Sequence, residues 1–189
     1  MNQRIGSGST SKRKHFDGAA WRDYLEKMAA EKSFADLIAC PKAVVDPPRR
    51  EMKLEGKMKR NEMALKSADG KHDFRAFIRQ NEEFQENFSI GLVYVPRDDP
   101  GEFVLIRYNG QHGGTRTHPH HAIYHIHRIL AEDLKAGVKE ARSIDRTEEY
   151  ASFAEAVRAF CRRINMNEQE RFFPGLIQRH LFPGEETQL

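Results

Sequence analysis

Cysteine, long apolar runs and internal repeats are all scarce or missing in this chain, and each scarcity removes a class of protein. Two cysteines, Cys40 and Cys161, are too few and too isolated for a disulfide framework or a four-cysteine zinc site. Cys161 falls at an apolar helical position, and both thiols read as small hydrophobes. No run approaches the roughly 20 apolar residues of a membrane span, and 1–15 is basic without the hydrophobic stretch of a secretion signal. A membrane is therefore not expected as a partner, and a cytoplasmic location is. No repeat is present, so a repeat architecture is not expected either. The net charge of +3 is mild.

What remains suits a packed domain. Hydrophobic residues make up 39% of the 189 and charged residues 31%, enough for one core under a heavily charged surface and too apolar for a disordered chain. The charge is uneven. Between Arg49 and Lys71 eight Lys or Arg stand against Glu51, Glu55, Glu62 and Asp69. Arg49, Arg50, Lys57, Lys59 and Arg60 are candidate phosphate contacts there, with a solvated loop as the plainer alternative.

Four segments are expected: a disordered basic tail over 1–15, a helical and basic extension over 16–72, a core over 73–166, and a tail over 167–189 that packs on the core or on a partner. In the extension, Trp21, Tyr24, Leu25 and Met28 keep helical spacing, a second short helix starts at Ser33, and Asp46-Pro47-Pro48 excludes regular helix. In the core, Phe74, Ala76 and Ile78 alternate with Arg75, Phe77 and Arg79, and FSIGLVYVP and EFVLIRY form a hairpin. Further strands are expected from about Ala122 to Ile129 and near Lys139 to Asp145. Ser152 and Glu155 form a capping box before the stripe Phe153, Val157, Phe160, Cys161 and Ile164. The class is α+β, a mainly antiparallel sheet of about 4–5 strands with N-terminal helices and a C-terminal helix.

Six of the nine histidines, His112, His118, His120, His121, His125 and His127, fall in one short run. Imidazole exchanges protons near neutrality and also ligates metals. Residues 121–129 have strand propensity, which sets His125 and His127 on one face and Tyr124, Ile126 and Arg128 on the other. His121-Ala-Ile-Tyr-His125 lacks the glutamate of the zinc-hydrolase HExxH arrangement. A metal held by His118, His120, His125 or His127 stays open, but no metal ligand is assigned and no cofactor is expected.

Cleavage of RNA fits the cluster without a metal, because the 2′-OH is the nucleophile and the protein needs only a base, an acid and charge stabilisation. His125 and His127 are the candidate acid and base, helped by Arg107 and His112. Arg116, Arg128 and Tyr124 are candidate nucleic-acid contacts, and His118, His120 and His121 are expected in a loop over the site.

The elements Asn87-Phe88-Ser89-Ile90-Gly91-Leu92, Arg107-Tyr108-Asn109-Gly110-Gln111-His112 and His125-Ile126-His127 resemble TumE-type toxins of prokaryotic toxin–antitoxin pairs and related phage and bacterial domains. The likeness covers residues 73–165. It implies a compact α+β toxin or defence protein acting on RNA and held by an antitoxin. Two alternatives stand beside it: a non-enzymatic module binding nucleic acid or protein, and a histidine-ligated metal domain.

Overall fold

Alternation of apolar and polar side chains from Asp73 onward, interrupted at Phe77, makes a strand, and its neighbours extend it into a sheet. In a computed structural model, which describes residues 34–97, 101–114, 116, 118–130, 132–133 and 143–174, the elements run in the following order. Helix α1 spans Phe34–Ala39. Strands follow at β1 Lys42–Asp46, β2 Lys53–Glu55, β3 Met58–Ser67, β4 Asp73–Asn81, β5 Phe88–Val95 and β6 Phe103–Asn109. A 3-10 turn at Pro119–Ala122 leads into β7 His125–Arg128 and β8 Ser143–Arg146, and α2 Phe153–Arg163 and α3 Gln169–Phe172 complete the chain. The helix expected from Asp17 and the apolar tail beyond Pro174 lie outside the described residues.

The sheet is antiparallel in the order β1-β3-β4-β5-β6-β7-β8, with β2 beside β1 on the same edge of β3. The α+β class holds, but the strand number is corrected from 4–5 to eight. The additional strands come from 42–67, the segment expected to be a helical extension, which joins the core sheet through β3 and β4. Their pattern is hard to read because two inward positions of β3, Asn61 and Ser67, are polar. Asn61 exchanges backbone-like hydrogen bonds with Arg49, its amide donating to the Arg49 carbonyl (2.8 Å) and its Oδ1 accepting from the Arg49 N–H (3.0 Å). An amide side chain thus continues the pairing where Pro47 and Pro48 cannot.

One face of the sheet carries the core. Phe74, Ala76, Ile78, Ile90, Leu92, Ile106, Tyr108 and Ile126 pack there against Ala156, Val157, Phe160, Cys161 and Ile164 of α2 and Leu37 and Ile38 of α1. The capping box forms as the sequence predicts: Ser152 Oγ accepts from the Glu155 N–H (3.3 Å), and the Glu155 carboxylate accepts from the Ala151 N–H (2.7 Å). Lys42 joins the two helices. It is 1% exposed, and its Nζ donates to the carbonyls of Ile38, Cys40 and Ile164 while lying 4.7 Å from the Phe74 ring centre.

Candidate functional site

The opposite face of the sheet carries the histidines, and antiparallel pairing decides their neighbours. Two rows of directly paired residues cross the strands on this face. One reads Arg60, Arg79, Ser89, Asn109, His125, Arg146, and the next reads Glu62, Phe77, Gly91, Arg107, His127, Ile144. Arg107 therefore stands opposite His127 and Asn109 opposite His125. At about 4.8 Å per strand the first row is roughly 24 Å long.

Tyr150 fixes the ends of β6 and β7 from the core side. Its hydroxyl is shared between the carbonyls of Asn109 (3.1 Å) and His125 (2.9 Å), the paired residues beneath the site. Tyr108 stacks on it at 5.3 Å. On the site face, Ser89 Oγ donates to Asn109 Oδ1 (3.0 Å).

The chain between β6 and β7 turns back over the pair. Gly110 has no room for a side chain, since a Cβ there would run into the Glu86 carbonyl and the Phe88 ring. Gly114 lies against the 3-10 turn, where a Cβ would stand 2.8 Å from that of Ala122. His112 N–H donates to the His121 carbonyl (2.8 Å). Side chains that β alternation alone would scatter are thereby gathered. His120 lies 5.2 Å from His125 and 5.9 Å from His127 between ring centres, His125 lies 5.0 Å from His127, and His112 lies 4.2 Å from His121 and 5.4 Å from His125. His118 stacks on His121 at 5.0 Å.

Burial sets the protonation of the central ring. His125 is 0% exposed, and desolvation pushes its imidazole down to about 4, reinforced by His127, His112 and His120 and only partly opposed by its backbone hydrogen bond. At neutral pH it is uncharged. Its Nδ1 faces the Ile123 carbonyl at 2.8 Å, and because a carbonyl only accepts, Nδ1 carries the proton and Nε2 presents its lone pair. That Nε2 is buried and has no hydrogen-bond partner among the described residues. Burial, followed by the neighbouring imidazoles, also lowers His120 and His121. The ring nitrogens of His120, His125 and His127 lie within 4.8 Å of one another.

The other residues singled out from sequence divide between three places. Arg107 and His112 are at the cluster. Arg128 takes the core face and meets Asp145 at 3.5 Å, and Arg116 is exposed on the loop before the 3-10 turn. Tyr124 packs on Phe88 and Tyr150 and, with Arg49 and Arg50, lines a cavity of about 800 Å³ beside the start of α2 on the far side of the sheet. Lys57, Lys59 and Arg60 face acids: Glu83 at 2.8 Å, Glu82 at 3.6 Å and Glu55 at 3.4 Å. The basic stretch is therefore largely neutralised on the spot.

Sequence reasoning missed Asn109, Arg79, Arg146 and Tyr150, because their place at the site depends on strand pairing. His120 was among the possible metal ligands and in the loop expected over the site, but its approach to His125 depends on a turn. No family model, curated protein or solved structure matches the chain.

Proposed function

We propose that the histidine face of β6, β7 and β8 binds single-stranded RNA and cleaves its phosphodiester backbone, in the setting of a toxin-like or defence protein. The observation that carries this reading is the pairing of Arg107 with His127 beside a row that holds Arg79 and ends in Arg146. Arg79 and Arg146 are exposed, and Arg79 lies over the Phe77 ring at 4.8 Å. Exposed cations spaced across a sheet follow a polyanion's backbone, and the guanidinium of Arg107 suits the charge that builds on a phosphorus under attack.

The chemistry asked of the imidazoles is modest. The ribose 2′-OH attacks the adjacent phosphorus, one imidazole accepts its proton and another group returns a proton to the leaving 5′ oxygen. His125, kept neutral by burial, suits accepting or ligating rather than donating. The basic segment around Arg60 contributes less than its composition suggests, because its cations already meet carboxylates.

Fluorescence anisotropy with a labelled single-stranded RNA tests the binding half. The expected result is an affinity that falls with salt. Arg79→Ala and Arg146→Ala each weaken it severalfold and lower the salt dependence by about one phosphate contact. An affinity unchanged by both substitutions, but abolished by reversing Lys57 and Lys59, would instead favour a binding module built on the basic segment. A protein partner that silences the activity, as an antitoxin does, would be found by its relief of growth arrest on co-expression.

A further inference from the structure

Three imidazoles converge on this face with no carboxylate or thiolate among them in the described residues, and the most buried presents a lone pair to which no described group donates. A buried nitrogen without a hydrogen bond is costly and seldom left so. Here the cost falls on Nε2 of His125, a ring that groups with those of His120 and His127. The Ile123 carbonyl holds the opposite nitrogen, the orienting contact that metal-ligating histidines usually make.

We infer that His120, His125 and His127 bind one transition-metal dication of the zinc class, with a coordination position left open towards Arg107. Imidazole selects such ions over calcium or magnesium, which take oxygen donors. Three ligands on a tetrahedral ion at 2.0–2.1 Å would lie about 3.3 Å apart. The present nitrogens lie within 4.8 Å of one another, so binding would draw the rings together, and His120 sits on a short turn rather than in the sheet.

The donor set has a further consequence. Three neutral ligands leave the ion its full double charge, so its open position favours an anion, and Arg107, opposite His127, adds a second cation beside it. A phosphate oxygen is the ligand this pair of charges fits. The ion's role rests on the phosphodiester reading, but its binding does not.

The test uses the full chain, stripped with a chelator and returned to buffer, titrated with Zn²⁺ against a chromophoric competitor and separately with Co²⁺ followed by visible absorption. The expected result is one equivalent of each per chain, with the intense Co²⁺ absorption of four or five coordination. His120→Ala and His127→Ala, with unchanged circular dichroism, each weaken Zn²⁺ binding about a hundredfold or more. His72→Ala, whose ring pairs with Tyr94 away from the site, leaves it as it was. Substoichiometric uptake by the wild type, or undiminished affinity in both triad variants, overturns the inference. A chain that binds one Zn²⁺ and leaves RNA intact fails the phosphodiester reading and keeps this one. A chain that cleaves RNA without taking up metal does the reverse.

Discussion

Lys42 carries its amine into the interior, where three carbonyls and the Phe74 ring surround it. Replacing it with methionine keeps the volume but leaves the carbonyls at the ends of α1 and α2 without their donor. Lys42→Met is expected to destabilise the fold by about 2 kcal/mol or more, read as a lower urea midpoint at unchanged slope. A midpoint equal to the wild type would show that the carbonyls find other donors. Asp73 behaves oppositely. The Arg97 guanidinium, whose Nε donates to its carboxylate at 2.6 Å, holds the Asp73 carboxyl below its ordinary value of 3.8. A folded pKa below the unfolded one adds stability that is complete above the unfolded value and is lost as pH falls through the folded one. The destabilisation caused by Arg97→Ala should therefore be largest at pH 6 and shrink below about pH 4 to the part owed to the Arg97 hydrogen bond with the Gly70 carbonyl; a gap that widens on acidification would contradict the assignment. Neither role was readable in the sequence, where Lys42 and Asp73 are two charges among many and only the folded contacts distinguish them.

At the scale of elements, legibility followed the purity of the pattern. The β4 and β5 alternation, the stripe of α2 and its capping residues were readable because each inward position is apolar. β3 was not, since Asn61 and Ser67 occupy inward positions through hydrogen bonds rather than burial of apolar surface. β7 was placed within a few residues, and with it the shared face of His125 and His127. The loop before it was expected to cover the site, but which of its rings would reach the pair depends on a turn that the glycines permit. Gly110→Ala tests that dependence. Its Cβ would enter the Glu86 carbonyl and the Phe88 ring, forcing the start of the loop outward at a cost of about 1–3 kcal/mol. Thermal unfolding should fall by several degrees, and the His112 ring, whose Nδ1 lies 2.9 Å from the Gly110 carbonyl, should lose its fixed environment in NMR. An unchanged melting temperature would show that the loop has room the structure does not indicate.

For the whole molecule, the sheet has two unlike faces. Helices and aromatic rings pack on one side, so rigidity comes from that face, and Tyr150 carries it to the backbone beneath His125. The other side presents paired rows of arginine, histidine and asparagine. Among the described residues no helix is long and apolar enough to cross a membrane. The histidine cluster was visible in the sequence as a density of one residue type; its convergence on Arg107, Asn109 and Arg146 belongs to the strand order, which no local pattern encodes.

The central claim is that this face acts on phosphodiesters, and the most direct test is electrophoresis of an end-labelled single-stranded RNA after incubation with the purified chain, with and without added Zn²⁺. The account predicts shortened products from the wild type and none from His127→Ala or Arg107→Ala, both retaining native circular dichroism. Intact RNA under every condition, or equal cleavage by the wild type and both variants, would contradict it.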